Sequence, residues 1–204
     1  MKIAILGSAP SLQDAPIEGW ETWSLMSNWK QPDLKAPVDK WFEFHSIAHL
    51  KKVGVVVDSI KPLQDIENLW MLEPPEGIKR FPKEQVLKLG DYFTSSIAWL
   101  IGLAIQTKPD TIGLFGCDLI QKYEYQKQRP CVEYLLGYAR ALGINIIIPD
   151  RSPLLKGPLY CDDFAHDLKV RNEAAAKELD DAKTSVAYWR GVNDILQDIS
   201  IEKG

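Results

Sequence analysis

The chain has 204 residues, of which 46% are hydrophobic and 25% charged, and its formal net charge at pH 7 is -4. This length favours one domain, or one domain with an appended helix, and the composition is that of a globular protein able to bury a full core. The net negative charge argues against sequence-independent binding of nucleic acid, because such binding needs a positively charged surface.

The cysteines and the apolar segments predict the compartment. Cys117, Cys131 and Cys161 are widely spaced and form no Cys-x-x-Cys pair, which predicts buried free thiols in a reducing environment rather than a zinc site or a disulfide framework. The first apolar run ends at Gly7, too early for a signal peptide, and no stretch approaches the roughly 20 apolar residues of a membrane helix. We therefore expect a cytoplasmic protein without a membrane partner.

The first half of the chain reads as short strands separated by polar loops. Apolar runs rich in β-branched or aromatic residues predict strands at 3–6, 22–25, 40–44, 53–57 and 69–72. The run after Gly54 contains three consecutive valines. Pro74 and Pro75 stop the last of these strands, and a loop rich in Lys, Pro and Gly is expected up to Gly90.

The second half alternates helices and strands. The predicted elements are a buried helix at 95–106, a strand at 111–115, a helix at 130–142 and a strand at 144–148. Thr94 or Ser95 is the expected N-cap of the first helix. Pro130 fits the first turn of the second helix, and Gly143 fits its C-cap.

Strands alternating with helices predict an α/β fold, a Rossmann-like and mostly parallel sheet with flanking helices. This nucleotide-binding domain is expected over residues 1–160, with a C-terminal helical extension over 161–204. From about Asp163 to Ser200, apolar residues recur at three- and four-residue steps, including Val186, Trp189 and Leu196. Such a seam either packs on its own domain or forms a homo-oligomer through the C-terminal helix.

Small and polar residues follow the predicted strands, where ligands of parallel sheets bind. The loop Gly7-Ser8-Ala9-Pro10-Ser11-Leu12 allows close approach of its backbone to a phosphate or nucleoside. The hydroxyls of Thr94, Ser95 and Ser96 open an apolar helix, where they either cap the helix or bind an anion.

The segment after the strand at 111–115 is dense in polar and phenolic groups. Asp118 ends the strand, and Tyr123, Glu124, Tyr125 and Arg129 follow in a segment expected to be a loop. Arg129 and the tyrosines are able to hold phosphate oxygens.

His45 and His49 are spaced as a metal-binding pair on a helix would be. No third ligand and no Asp-x-Asp motif accompany them, so we predict no metal site. His45 is instead expected to be a polar residue of the pocket.

These segments, in this order, resemble the sialyltransferases of glycosyltransferase family 42 and the related archaeal hydroxymethylpterin diphosphokinase-like proteins. Residues 7–12 are similar to the family's Gly-Asn-Gly-Pro-Ser-Leu loop, and Asn28 falls where the family has a nucleotide-binding Asn. Residues 94–96 resemble its Thr-Ser-Gly segment, 114–118 its Leu-Ser-Gly-Ile-Asp strand end, and 148–155 its closing strand.

The resemblance covers about residues 1–156 and implies that Ser8, Asn28 and Asp118 contact a nucleotide or sugar nucleotide. The ligand would be a substrate, and no further cofactor is implied. The family's catalytic histidine has no counterpart, because residues 119–148 contain no histidine. A general base would then be His45 or Glu124, and Tyr123, Tyr125 and Arg129 would stabilise the leaving phosphate.

Three functions are compatible with these residues. The first is a transferase-like enzyme that uses a nucleotide-activated sugar, and the second is a nucleotide-binding protein without catalysis. The third is a diphosphokinase-like enzyme, which would need Mg²⁺ held by carboxylates such as Asp118 and Glu124.

Overall fold

The structure is a computed structural model, and it describes residues 1–16, 18–29, 34–54, 61–120, 123–157, 159, 172–187 and 189–190. The chain divides into two compact units, Met1–Lys156 and Gly157–Gly204. The described strands of the first unit are β1 (Lys2–Leu6), β2 (Glu21–Leu25), β3 (Lys40–Glu43), β4 (Leu69–Met71), β5 (Lys79–Arg80), β6 (Thr111–Phe115) and β7 (Asn145–Ile147). Its described α-helices are α1 (Ile47–Lys52), α2 (Lys61–Gln64), α3 (Lys83–Val86), α4 (Ser96–Gln106) and α5 (Tyr123–Ala141).

The described strands form one parallel sheet in the order β5-β4-β3-β2-β1-β6-β7. The chain therefore builds the sheet outward from β1 to β5, and then adds β6 and β7 on the other side of β1. This arrangement confirms the predicted α/β fold with a parallel sheet and flanking helices. The direction of building reverses between β1 and β6, and the crevice at such a reversal is where open α/β sheets bind ligands.

The core is built around the two central strands. All of β6 and residues 3–6 of β1 are buried, which explains why both strands read as continuous apolar runs. Helix α4 packs against β1, α3 and α5, and most of its residues are buried, as its apolar circumference predicted.

The strand predicted at 53–57 is wrong in its described part. The hydroxyl of Ser46 accepts a hydrogen bond from the backbone N–H of His49 (3.2 Å) and starts α1. Val53 is the C-cap of that helix and is 55% exposed, and Gly54 turns the chain at a φ of 76°. The helix cap therefore overrides the β propensity of Val53. Residues 55–57 lie outside the described residues.

The loop predicted between β6 and the next helix is also wrong in part. Helix α5 begins at Tyr123, so Pro130 lies inside it rather than in its first turn. A proline within a helix leaves the carbonyl four residues earlier without its usual donor. Residues Cys131, Val132, Leu135, Leu136 and Ala139 of the same helix are buried in the main core, and this burial offsets the lost hydrogen bond.

Short elements occupy the segment expected as a loop up to Gly90. Strand β5 extends the sheet by pairing with β4, and α3 follows it. The backbone N–H of Phe81 donates to the carbonyl of Met71 (2.7 Å), and Phe81 is buried. Tertiary packing of Phe81, rather than a periodic pattern, thus fixes this segment. At the opposite edge, the strand predicted at 144–148 is reduced to three residues in β7.

Most of the described residues of the second unit are helical. Residues 172–187 and 189–190 are helix, within the stretch for which the sequence predicts one. The remainder of that predicted helix lies outside the described residues, and self-association stays a prediction. In the described part of the chain, no helix combines the length and the apolar character needed to cross a membrane.

The loops after β1 and β6 touch through their backbones. The N–H of Gly7 donates to the carbonyl of Phe115 (2.7 Å), and the N–H of Ala9 donates to the carbonyl of Gly116 (2.9 Å). A Cβ added at Gly7 would overlap the carbonyl oxygen of Gly116. Gly116 itself has a φ of 73°, and a Cβ there would lie 2.7 Å from the carbonyl group of Gly7. Both positions therefore require glycine.

Replacing Gly7 with alanine should lower the free energy of unfolding by about 3 kcal/mol, because the methyl group forces the two loops apart. The control is Gly137→Ala, since Gly137 is exposed on α5 and has no atoms within contact of an added Cβ. Alanine there should raise stability by up to about 1 kcal/mol through helix propensity. Urea unfolding of both variants measures the difference. Equal stability of the two would contradict the close approach.

Candidate functional site

A cleft of about 530 Å³ opens between the loops that follow β1 and β6, at the reversal of strand order. We call it the main cleft. Its lining includes residues that follow β1, β2, β3 and β6, together with Ser96 and Ile97 in the first turn of α4. Its volume is within the range of about 300–1,000 Å³ that is typical of ligand pockets.

The two central loops are held together by Ser11 and Asp118. The hydroxyl of Ser11 donates to Oδ1 of Asp118, and the backbone N–H of Ser11 donates to Oδ2 (3.2 Å). The N–H of Gly116 donates in turn to the Ser11 hydroxyl (2.7 Å). Ser11 and Asp118 are almost completely buried. The Asp118 carboxylate thus fixes the geometry of the loops as well as lining the cleft.

Asn28 anchors the segment after β2 to the end of β1. Its side-chain N–H groups donate to the carbonyl of Leu6 (3.2 Å) and to the hydroxyl of Ser24 (3.1 Å). Ser24 donates to the same carbonyl (2.9 Å). Because both amide hydrogens have acceptors in the protein, the carbonyl oxygen of Asn28 is the atom suited to receive a hydrogen bond from a ligand.

Helix α4 points its N-terminus at the main cleft. Ser95 is its N-cap and accepts a hydrogen bond from the N–H of Ala98 (3.1 Å). The other N–H groups of a first turn have no acceptor within the helix, and the helix dipole favours negative charge at this end. Ser96 and Ile97 line the cleft, so the helix end that carries these amides lies at the cleft, which suits a phosphate group.

Cys117 lines the main cleft but is a poor nucleophile. Its side chain is buried, and Sγ lies 3.7–3.8 Å from the carbonyl oxygens of Phe115 and Ile5. Burial, and secondarily the negative charge of Asp118, raises the pKa of the Cys117 thiol to about 12. The group is therefore a neutral thiol at physiological pH. Cys131 is likewise buried, so the predicted burial is confirmed for these two cysteines.

The structure brings together some of the predicted site residues. Those that line the main cleft are Gly7, Ser8, Ala9, Asn28, His45 and Asp118. Ser11 and Ser95 are not part of this lining, but they stabilise the two loops and the start of α4 through the hydrogen bonds described above.

Other predicted residues lie elsewhere. Thr94 is exposed, and its hydroxyl is 3.4 Å from the carbonyl of Lys127. Arg129 donates through Nε to Glu133 (2.8 Å) and through Nη2 to the carbonyl of Pro153 (2.8 Å), so its guanidinium ties α5 to the segment after β7. The side chains of Tyr123, Glu124 and Tyr125, which were also predicted to belong to the site, lie outside the described part of the structure.

Sequence reasoning missed Glu43, which ends β3. The side chain is buried, and Oε1 accepts from the backbone N–H of His45 (2.8 Å) and pairs with Nδ1 of His45 (2.6 Å). An acidic residue at the end of an apolar strand, two positions before a histidine, is the signal that was available. The His45 ring also stacks on that of His49, with centroids 4.6 Å apart. Among the described residues, no group of three or more His, Cys, Asp or Glu side chains is arranged to hold a metal ion.

Solved structures resemble this fold at low sequence identity. The sialyltransferase CstII from Campylobacter jejuni, in complex with the substrate analogue CMP-3FNeuAc, matches with a TM-score of 0.50 and 13% identity, over 74% of this chain and 80% of that chain. The same enzyme in complex with cytidine-5'-monophosphate matches with a TM-score of 0.46 and 13% identity, over 80% of this chain and 84% of that one. No protein-family model and no curated protein matches the sequence. The likeness to CstII shows a shared fold.

Replacing Ser11 with alanine should destabilise the protein by about 1.5–3 kcal/mol, because the buried Asp118 carboxylate loses a hydrogen-bond donor. Ser8→Ala, three residues earlier in the same loop and exposed, should change stability by less than about 0.5 kcal/mol. Chemical denaturation of the two variants makes the comparison. A loss in Ser8→Ala as large as that in Ser11→Ala would refute the bridging role of Ser11.

Cys117 should resist alkylation in the native protein. With a pKa of about 12, roughly one molecule in 10,000 carries the thiolate at pH 8, against about a quarter for an ordinary thiol. Because the folded pKa is raised, this group's contribution to stability is complete below the ordinary thiol pKa and is lost as pH rises from there toward 12. Peptide mapping after iodoacetamide treatment at pH 8, with and without denaturant, measures the protection. Equal labelling in the two conditions would disprove it.

Proposed function

We propose that this protein binds a pyrimidine nucleotide sugar in the main cleft and transfers the sugar, as a glycosyltransferase-like enzyme. The observation that carries the proposal is the position of the cleft at the reversal of strand order, with the N-terminus of α4 on its wall. These are the two features by which parallel α/β sheets bind nucleotides and their phosphates.

The chemistry of the cleft supports the same ligand class. Its described lining is small or neutral apart from His45 and Asp118, and it includes no Lys or Arg. Backbone amides and the helix dipole would then hold the phosphates, while the carbonyl oxygen of Asn28 would accept from the amino group of a base or from a ribose hydroxyl. The fold likeness to CstII, whose complex contains a CMP-sugar analogue, is consistent with this assignment.

The alternatives make different demands on the site. A nucleotide-binding protein without catalysis would use the same cleft, and turnover of a bound sugar nucleotide separates it from a transferase. A diphosphokinase would need carboxylates for Mg²⁺. Of its two candidates, Asp118 already engages Ser11 with both oxygens, and the side chain of Glu124 lies outside the described part of the structure.

Binding of CMP and UMP tests the ligand class. Calorimetry should give heat of binding with the wild type, and Asn28→Ala should weaken the affinity three- to tenfold, as expected for one lost hydrogen bond worth about 0.5–1.5 kcal/mol. The matched control is Asn145→Ala, because Asn145 is exposed at the amino end of β7, away from the carboxyl ends of the strands. Its affinity should equal that of the wild type.

Two results would count against the proposal. Absence of heat with CMP, UMP and their sugar nucleotides at millimolar concentration would exclude the ligand class. Equal affinities of Asn28→Ala and the wild type would exclude the contact with Asn28. Thermal unfolding of each variant must accompany the titrations, since Asn28 also supports the fold through Leu6 and Ser24.

A further inference from the structure

A second pocket adjoins the main cleft, at the carboxyl ends of β3, β4 and β5. It has a volume of about 290 Å³, and we call it the side pocket. His45 lines both cavities, so the two meet at this residue. The volume is at the lower end of the range for ligand pockets, which suits a molecule the size of one sugar ring.

The side pocket differs in chemistry from the main cleft. Phe44 and Phe81 form an aromatic wall, with ring centroids 5.0 Å apart and planes at 80°. The remaining charged residues of its lining, apart from His45, are two cations and two carboxylates: Arg80, Lys83, Glu73 and Glu84. Carboxylates accept hydrogen bonds from hydroxyl groups, cations donate to them, and aromatic faces pack against C–H groups. The balance of charge favours an uncharged, hydroxyl-rich ligand.

The Glu43 carboxylate determines which nitrogen of His45 carries hydrogen. Both the backbone N–H and Nδ1 of His45 meet the same oxygen, Oε1 of Glu43, at 2.8 and 2.6 Å. Since an ionised carboxylate only accepts hydrogen bonds, Nδ1 is the donor, and Nε2 of the neutral ring keeps a lone pair. Glu43 is buried, whereas the His45 side chain is 55% exposed. A buried carboxylate that orients an exposed imidazole is the arrangement of a general base and its supporting group.

We propose that the side pocket binds an uncharged sugar as the acceptor of the transfer, that His45 is its general base, and that Glu43 is a positioning residue. This proposal rests on the proposed function of the main cleft. An acceptor hydroxyl oxygen forms a bond to the anomeric carbon of the nucleotide sugar. The bond from that carbon to the phosphate oxygen breaks, the nucleotide leaves with the electron pair, and the hydroxyl proton moves to Nε2 of His45.

The catalytic roles of His45 and Glu43 are tested by measuring sugar transfer. The donors are CMP-N-acetylneuraminic acid and UDP-glucose, and the acceptors are galactose and glucose. Glu43→Gln should lower kcat about 100-fold, within the usual contribution of acid–base catalysis, and leave the Kd of CMP and UMP unchanged. Arg80→Ala should instead raise the KM for the acceptor about tenfold with little change in kcat. The matched control is Glu67→Gln, an exposed glutamate before β4, at the opposite end of the strand, which should behave as the wild type.

The tautomer of His45 gives a readout that does not depend on turnover. Nitrogen-15 NMR of the imidazole should show hydrogen on Nδ1 in the wild type, and loss of this preference in Glu43→Gln. Addition of galactose should shift the His45 resonances in the wild type, and less so in Arg80→Ala. A wild-type ring with hydrogen only on Nε2 would overturn the positioning role of Glu43 whether or not any donor is turned over.

The results separate this inference from the function on which it rests. If CMP or UMP binds but neither donor is transferred to a sugar, or if Glu43→Gln retains the wild-type kcat, the acceptor inference is wrong and nucleotide binding stands. If no nucleotide or sugar nucleotide binds, the proposed function fails first, and the transfer step fails with it. Transfer with the expected split between kcat in Glu43→Gln and KM in Arg80→Ala supports both.

Discussion

The backbone contact between Gly7 and Gly116 is the constraint on which the site depends. The loops that follow β1 and β6 meet at the only place in the described sheet where strand order reverses. Backbone hydrogen bonds join Gly7 to Phe115 and Ala9 to Gly116 there. Side chains at either glycine would separate the loops, and the main cleft would lose its inner wall. Ser11 and Asp118 then fix the same two loops with buried hydrogen bonds. The site is thus built on a rigid base.

This base has a consequence for how a ligand would be held. The polar side chains nearest to the loops already form hydrogen bonds within the protein. Asp118 bonds to Ser11, and the amide hydrogens of Asn28 bond to Leu6 and Ser24. In the proposed function, recognition falls to backbone amides, the first turn of α4 and the remaining oxygen of Asn28. Preorganised dipoles of this kind stabilise a phosphate without reorganising when it binds.

His45 joins two cavities of different character. The described lining of the main cleft consists mostly of small and uncharged residues, whereas the side pocket combines aromatic rings with charges of both signs. Among the described lining residues, the exposed cations and carboxylates belong to the side pocket. Glu43 fixes the ring between them from the end of β3, so a strand of the scaffold, rather than a loop, orients the exposed imidazole.

The sequence by itself determined the sheet's central strands and its buried helix, because a strand or helix enclosed on all sides must be apolar throughout, as β1, β6 and α4 are. It also indicated that Gly7, Asn28 and Asp118 follow strands. Only the tertiary structure decided that Val53 caps a helix, that α5 continues through Pro130, and which polar groups share one cavity. Caps and burial outweigh local propensity there. The glutamate two positions before His45 is visible in the sequence, but its pairing with the imidazole ring depends on where the backbone of β3 ends.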